Sequence, residues 1–337
     1  MIRRRHALGL LAGLPAAYVA RSAFAQAAKK VVVARQPGIL YLPTHVIEKQ
    51  KLIEKHTAKL GLAGMTAEWV NLAGGGAQTD ALLSGNVDFV NTGTGNLLLL
   101  WDRTKGAVKG VVASSAGPLH LISREARIKS LKDIGPNDKI AVPTVKVSTQ
   151  AILLQMAAAE LFGPDQWAKF DPHTVQLSHP DAVMAMSNPA HEVRNHFAAP
   201  PFQFVELKTV PGAHIIIDSA TIIGGPLSQG QFFTTTKFAD ANPKVIQAMR
   251  DASKEAQDFI RANTKDAVDI YKEITGDKAS AADLLDWLGQ PGMMEFNLQP
   301  QGTMKFAAHL HKVGVLKTMP GSWKDYYLPV AHDLPGS

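Results

Sequence analysis

Short β-branched runs alternate with amphipathic segments along most of this chain, and this alternation is the strongest constraint on its fold. Val31 to Ala34, Met65 to Asn71 and Val87 to Asn91 are predicted to be strands. A helix predicted from Leu42 to Leu60 separates the first two of them. Strands that alternate with helices in this way are typical of α/β folds with mostly parallel sheets. The predicted fold class is therefore α/β.

The spacing of the elements changes after Pro118. We expect a second lobe to begin there, with a helix capped by Ser148, and the last third of the chain to be mostly helical. The strands predicted in this part are Leu119 to Ser123, Lys139 to Val142, Thr174 to Leu177, Asn195 to Ala198, Ala213 to Ile217 and Phe232 to Thr236. The long helices predicted near the end are Pro243 to Asn263, Lys265 to Thr275 and Ser280 to Leu288.

Length and composition further limit the number of domains and the kinds of chemistry that this chain can carry. A chain of 337 residues predicts about two domains. The chain contains no cysteine, which excludes disulfides, thiolate zinc sites, iron–sulfur clusters, cysteine nucleophiles and a lipid-modified cysteine. Hydrophobic residues make up 46% of the chain, enough for real cores. We therefore expect a globular protein without these cysteine chemistries.

The first 25 residues predict an export signal. Arg3 to Arg5 form a basic start, an apolar stretch runs from Ala7 to Ala20, and Ala23 to Ala25 fit a small-x-small cleavage site. Either the Sec or the twin-arginine route fits this pattern. The formal net charge is +6, and cleavage near Ala25 removes four arginines and leaves about +2. The expected location is the periplasm, and the charge of the mature chain gives no reason to expect a nucleic-acid partner.

No sequence motif indicates nucleotide hydrolysis or metal catalysis. The glycine loops lack a Gly-Lys-Ser/Thr ending, and neither His-Glu-x-x-His nor Gly-x-Ser-x-Gly occurs. His309 and His311 lie two residues apart on a predicted helix and so point to different faces, and His191 and His196 have no paired carboxylate spacing. The scattered histidines are interpreted as surface or half-buried residues. We expect no metal site.

Polar loops that end strands and open helices are the candidate ligand contacts. Gly74 to Gly76 and Thr92 to Gly95 leave backbone N–H groups at a helix start, and Pro143 to Gln150 adds hydroxyls and a lysine. Tyr41 follows the first strand and could close over a small ligand. The alternatives are that the glycines only make tight turns, that Ser148 is a plain N-cap, and that Tyr41 packs on a helix face.

Several sequence motifs occur in a fixed order along the chain. The most specific is a helix, small-Gly turn and Val-Asp-hydrophobic strand over Leu82 to Phe89. The other motifs are Ser130 to Ile134 leading into Lys139 to Pro143, His196 to Phe202, Thr234 to Phe238, and Gly321 to Asp325. Together they span most of residues 30 to 327, and their order resembles that of the nitrate/sulfonate/taurine-type substrate-binding proteins of ABC importers.

The resemblance implies a type II periplasmic binding fold, with two α/β lobes and two hinge crossings. The crossings are expected near Ser114 to Pro118 and near Pro211 to His214. The lobes would then be residues 30–114 plus 214–337, and residues 115–213. Ligands of open α/β sheets bind outside the carboxyl ends of the strands, where the polar loops lie.

The ligand contacts that the resemblance implies come from both lobes. Arg35 and Lys146 are the candidate cations, although no loop carries an unambiguous arginine and a neutral ligand stays possible. The candidate contacts, including the looser match at Tyr41 and the first glycine loop, are Tyr41, Gly75, Thr92, Gly93, Thr94, Ser148, Thr149, Gln150, Ala199 and Pro200.

The implied function is capture of a small, anionic organic molecule for import. The resemblance implies an ABC permease and ATPase as partners, a monomer, no cofactor and no catalysis. Two alternatives stay open at this point. One is an enzyme on the same fold, like the pyrimidine synthases of thiamine biosynthesis, although their cysteine-rich iron motif is absent. The other is a ligand sensor uncoupled from transport.

Overall fold

A computed structural model describes residues 29–72 and 74–337 of this chain. The export signal predicted over residues 1–25 lies outside the described residues. The strands are β1 Lys30–Arg35, β2 Thr66–Asn71, β3 Val90–Thr92, β4 Val108–Ser115, β5 His120–Ser123, β6 Lys139–Val142, β7 Thr174–Gln176, β8 Val193–Ala198, β9 His214–Asp218 and β10 Gly230–Thr235. The prediction of an α/β fold is confirmed.

Thirteen α-helices connect and cover these strands in the described part of the chain. They are α1 Leu42–Lys49, α2 Leu52–Lys59, α3 Gly75–Leu83, α4 Thr94–Arg103, α5 Thr149–Phe162, α6 His179–Ser187, α7 Phe202–Thr209, α8 Ser219–Ile223, α9 Thr236–Ala241, α10 Pro243–Ala262, α11 Thr264–Thr275, α12 Ala281–Leu288 and α13 Thr303–Lys312. No helix in residues 29–72 or 74–337 is long and apolar enough to cross a membrane.

The helix predicted over Leu42 to Leu60 is two helices, and that prediction is wrong. Helix α1 ends before Gln50, and Lys51 adopts a left-handed conformation with φ 50°. A left-handed residue cannot continue a right-handed helix. The break lets both α1 and α2 pack on α10, so their apolar residues share one core.

The ten strands of residues 29–72 and 74–337 form three hydrogen-bonded sheets. Strands β1 and β2 are parallel, and β10 pairs antiparallel with both β3 and β4. A parallel bridge from Val33 to Phe89 joins the first two sheets. The third sheet has five strands in the order β7-β6-β8-β5-β9, with β6 parallel to β7 and β8. Residues 120–218 therefore build a sheet of their own.

The second crossing between the sheets comes later than the sequence predicts. Strand β9 pairs antiparallel with β5, so residues His214–Asp218 stay in the five-stranded sheet. The chain returns to the other sheets only at β10, after α8. The crossing expected near Pro211 to His214 is thus corrected, because a β-branched run identifies a strand but not the distant strand it pairs with. We propose lobe one as residues 29–115 plus 230–337, and lobe two as residues 120–218.

Contacts on both sides of the crossings hold the two lobes together. Lys208 on α7 donates to Asp283 on α12 at 2.6 Å, and the rings of Phe204 and Trp287 stack at 5.6 Å between the same helices. On the other side, α4 approaches α5, and their apolar residues belong to one buried cluster. The space between these two contact regions is where the functional loops meet.

Candidate functional site

A cavity of about 350 Å³ lies between the two lobes. Lobe one lines it with Gln36, Pro37, Leu40, Tyr41, Gly74, Gly75, Thr92, Gly93, Asn96 and Gln229, the last from the second crossing. Lobe two and the first crossing line it with Leu119, Pro143, Thr144, Ser148, Thr149, Gln150, Gln176, Leu177, Ser178, His179, Pro180, Asp181, Ala199, Pro200 and Phe202. Nine of the ten predicted contacts are in these two sets.

Within the described residues, five helices begin at this cavity. The residues immediately before α3, α4, α5 and α6 all line it, and so does the first residue of α7. The side chain of Ser148 caps α5 by accepting from the N–H of Ala151, and Ser178 caps α6 by accepting from that of Asp181. Helix N-termini carry partial positive charge and unpaired N–H groups, so the cavity favours hydrogen-bond acceptors and anions.

Two glycines let backbone come close to the opposite side of the cavity. A Cβ on Gly93 would lie 2.7 Å from Oγ1 of Thr149, across the gap between the lobes. A Cβ on Gly75 would collide with the hydroxyl of Thr92. Both positions therefore need the absence of a side chain, which agrees with the prediction that these loops present backbone to a ligand.

Thr94 is the predicted contact that does not line the cavity. Its side chain is fully buried, and its hydroxyl donates to the carbonyl of Ser228 at 2.5 Å. The same hydroxyl accepts from the amide of Gln231, whose oxygen accepts from Tyr327. The prediction for Thr94 is corrected, because at the first position of α4 the side chain turns back into lobe one.

Neither candidate cation reaches the cavity, which corrects a second expectation. Arg35 forms an ion pair with Glu48 on α1, and Lys146 is not among the cavity-lining residues. Of the described residues that line the cavity, none is lysine or arginine. Apart from Asp181, whose carboxylate accepts from Ser178, the described lining offers neutral donors and helix ends to a negatively charged group.

Burial sets the protonation of the cavity's titratable groups. Desolvation raises the pKa of the Tyr41 phenol above its usual range, against a hydrogen bond from Gln36, so Tyr41 stays neutral. Desolvation and the neighbouring His196 lower the pKa of His179 well below its usual range. The carboxylate of Asp181 accepts from Oγ of Ser178 at 2.5 Å at the start of α6.

Several histidines are buried, contrary to the sequence-based expectation. His45 and His196 are almost completely inaccessible, and burial lowers the pKa of each to about 3. His196 lies on the central strand β8, in a stretch where residues 195–198 are all buried. His191 and His196 do not come together with His309 and His311, and no group of three or more metal-ligating side chains forms within residues 29–72 and 74–337.

Comparison with solved structures identifies the architecture. The alkanesulfonate-binding protein SsuA of Xanthomonas axonopodis pv. citri, bound to MOPS, superposes with a TM-score of 0.69 at 15% identity and covers 88% of this chain and 96% of its own. The chain has the fold of the periplasmic binding proteins. The periplasmic nitrate-binding protein NrtA of Synechocystis PCC 6803 gives a TM-score of 0.64 at 16% identity, over 88% of this chain and 84% of its own.

The likeness to solved structures confirms the resemblance drawn from the sequence motifs, and at these identities it shows the fold alone. No family model matches the chain. A protein of Brucella abortus (strain 2308), provisionally named a binding protein, is 26% identical over 239 residues, which cover 70% of this chain and 69% of its own.

Sequence reasoning missed much of the lobe-two side of this cleft. Ser178, His179 and Asp181 follow β7 directly, and a Ser-x-x-Asp pattern after a strand is a recognisable capping signal for a helix at the same sheet edge. Phe202 and Gln229 had no such signal. They line the cavity because the Pro200–Pro201 corner and the second crossing fold towards it, and long-range packing fixes both.

Proposed function

We propose that this protein is the extracytoplasmic solute-binding component of an ABC importer. It captures a small organic molecule, sulfonate-, carboxylate- or nitrate-like, between its lobes and delivers it unaltered to a membrane permease and its ATPase. One observation carries the proposal: nine predicted contacts, from segments up to about 160 positions apart in sequence, line a single interlobe cavity. Residues 1–25 support export to the periplasm.

The sizes of the cavity and of the expected ligands agree. A cavity of about 350 Å³ suits a ligand of small-molecule size. The helix starts and the hydroxyls of Thr92, Ser148 and Thr149 supply several donors to acceptor oxygens. A micromolar complex needs about −8 kcal/mol, which a few charge-assisted bonds in a largely dry site can provide.

Transport requires that the ligand change the arrangement of the lobes. The crossings at residues 116–119 and 219–229 are the two connections about which one lobe can rotate. A ligand that contacts both Gly93 and Thr149, which already approach each other closely, stabilises the closed arrangement. Closure then presents a continuous surface to the permease.

Thermal unfolding with a ligand panel tests the proposal. The panel comprises taurine, alkyl and aryl sulfonates, nitrate, bicarbonate, aromatic carboxylates and pyrimidines. A bound ligand at about 100 times its Kd stabilises the protein by about 2.7 kcal/mol. Thr149→Val should weaken the binding of the active ligand, and the matched control Thr209→Val, at an exposed position on α7 outside the cavity, should not.

Small-angle X-ray scattering supplies the second measurement. We expect the radius of gyration to fall when the active ligand saturates the protein. A ligand that binds with equal affinity to the wild type and to Thr149→Val shows that the cavity is not the site. Conversion of the ligand into a product on incubation with the purified protein contradicts the proposal outright.

A further inference from the structure

A chain of hydrogen bonds runs from the cavity into the interior of lobe two. Gln150 Nε2 lies 3.3 Å from Nε2 of His179, and Nδ1 of His179 lies 2.9 Å from Nε2 of His196. Nδ1 of His196 lies 2.6 Å from Oε1 of Glu206, and His196 and Glu206 are completely buried. Gln150 and His179 line the cavity, so the chain of hydrogen bonds connects the cavity to a buried carboxyl group.

Each ring in this chain can be oriented in one of two directions, because a neutral imidazole donates from one nitrogen and accepts at the other. In the inward direction, Gln150 donates to His179, His179 to His196, and His196 to an ionised Glu206. In the outward direction, a protonated Glu206 donates to His196, His196 to His179, and His179 to the amide oxygen of Gln150. The outward chain holds one more proton, and both directions use the same three contacts.

The direction of the chain decides what Gln150 presents to a ligand. In the inward direction the amide N–H₂ is turned to His179, and the carbonyl oxygen is left for the cavity. In the outward direction the amide rotates by half a turn, and its N–H₂ group becomes a donor towards the cavity. A proton at Glu206 therefore converts Gln150 from an acceptor into a donor.

The surroundings of Glu206 favour the protonated form. Its second oxygen, Oε2, is buried and has no hydrogen-bond partner among the residues that the structure describes, and a buried carboxylate in that state is costly. Burial raises the pKa of Glu206 to about 8 and lowers the pKa of His196 to about 3, so both groups are neutral near pH 7. The short contact to His196 then has the acid as donor.

Charged groups on the neighbouring elements do not neutralise Glu206. Lys208 on α7 and Arg194 on β8 are about half exposed and pair with other carboxylates. Asp181 on α6 is exposed and accepts from Ser178. On β5, His120 packs edge-on against the ring of Phe204, and burial lowers its pKa. Within the described residues, burial is the single cause of the raised pKa of Glu206.

We propose that the cavity binds a small oxyanion through N–H groups and hydroxyls, without a lysine or arginine, and that the proton on Glu206 makes Gln150 one of the donors. This inference rests on the proposed function and specifies its substrate class. A ligand anion is compensated by helix ends and by the outward chain, in a cavity whose described lining holds no lysine or arginine. Loss of the Glu206 proton turns the chain inward and places the carbonyl oxygen of Gln150 against the anion.

Histidine ¹⁵N NMR on the ligand-free protein tests the chain without any ligand. Between pH 6 and 9.5 we expect His179 and His196 to exchange tautomers together, from Nε2–H to Nδ1–H, with one midpoint near the pKa of Glu206, about 8. Neither ring should become an imidazolium. Glu206→Gln should abolish the exchange while keeping the fold, and His179→Asn and His196→Asn assign the signals. The proposal is overturned if either imidazole becomes protonated to an imidazolium between pH 6 and 9.5. It is also overturned if the tautomers of both rings stay constant over this range.

Calorimetry with two matched probes, propane-1-sulfonate and its neutral analogue propane-1-sulfonamide, tests the ligand class. We expect the sulfonate to bind with constant affinity from pH 6 to 7 and to lose affinity by about tenfold per pH unit above pH 8. Glu206→Gln should retain the low-pH affinity at pH 9.5. Gln150→Leu should weaken sulfonate binding about tenfold, and the control Gln166→Leu, at an exposed position of lobe two, should not.

The outcomes separate this inference from the proposed function. Sulfonate binding that is unchanged up to pH 9.5 in the wild type overturns the role of Glu206 and leaves the proposed function standing. Equal binding of the sulfonamide, or stabilisation by uncharged members of the thermal panel alone, overturns the oxyanion class and still leaves a solute-binding protein. If neither probe binds while the tautomers exchange, the oxyanion assignment is overturned.

Discussion

The two walls of the cavity are built from chemically different buried groups. Behind the lobe-one wall, Asn91, Thr94, Gln231 and Tyr327 form networks of amides and hydroxyls that bond to one another and to backbone. Behind the lobe-two wall, the chain of histidines ends at Glu206. The first set does not ionise near neutral pH, whereas the second set titrates. One wall therefore provides a fixed geometry and the other provides a polarity that depends on protonation.

Disrupting the lobe-one network should produce the largest change in stability. Gln231→Leu removes the amide that joins Thr94 to Tyr327 and leaves the buried phenol without its acceptor. We expect the free energy of unfolding to fall by about 3 kcal/mol. Urea unfolding at pH 6 and pH 8 should give the same loss at both pH values, because none of these groups titrates there. A loss that depends on pH would contradict the comparison of the walls.

Glu206→Gln should remove a pH dependence that belongs to the lobe-two wall. Between pH 4.5 and 8 the folded state keeps the Glu206 proton and the unfolded state loses it, so wild-type stability falls as pH rises. The slope is about 1.4 kcal/mol per pH unit, or about 2 kcal/mol from pH 6.5 to 8. Urea unfolding of both proteins over this range measures it. Parallel pH profiles for the wild type and the Glu206→Gln variant would rule out a buried neutral acid.

Substitution at the closest approach of the walls tests whether they act on each other. Gly93→Ala places a methyl group 2.7 Å from the hydroxyl of Thr149 and should weaken ligand binding about tenfold, or about 1.4 kcal/mol. Thr149→Ala removes the colliding oxygen. The double variant should bind better than additive losses predict, and calorimetry on all four proteins gives the coupling free energy. Strict additivity would show that the lobes do not meet there when ligand is bound.

His45 provides an internal control for the buried histidines of lobe two. Both of its ring nitrogens are buried without partners in the described part of the chain, and burial lowers its pKa to about 3. His45→Leu should stabilise the protein by about 1 kcal/mol at pH 7, because an unpaired polar group leaves the core. Below pH 6.5 the unfolded state binds a proton that the folded His45 does not, so the variant's advantage should grow as pH falls.

Thermal unfolding from pH 5 to 7 measures the effect of His45→Leu. His196→Leu is the matched comparison in lobe two. It should destabilise the protein, because it leaves His179 and Glu206 without their common partner. If both substitutions change stability in the same direction, the proposed difference between the unpaired His45 and the hydrogen-bonded His196 is wrong.

Local sequence patterns determined the elements and the outline of the site. The β-branched runs, the N-cap serines at 148 and 178, and the glycine turns are encoded within a few residues, because backbone sterics and capping bonds act over short distances. The strands therefore appear close to where the sequence predicted them. Nine loop residues could be assigned to one cavity because strand ends of an α/β sheet face a common edge.

Only the tertiary structure determined which charged side chains reach the cavity and which buried groups near it are protonated. Arg35 was a candidate cation in the sequence, and only packing shows that Glu48 engages it. His179, His196 and Glu206 are scattered over 28 positions with no recognisable spacing, and they meet because α6 packs against both β8 and α7. Burial and protonation depend on neighbours that are distant in sequence, so no local pattern records them. The amino-acid sequence by itself determined the strands, helices and loops of the fold. Only the tertiary structure determined which titratable side chains are buried and therefore neutral.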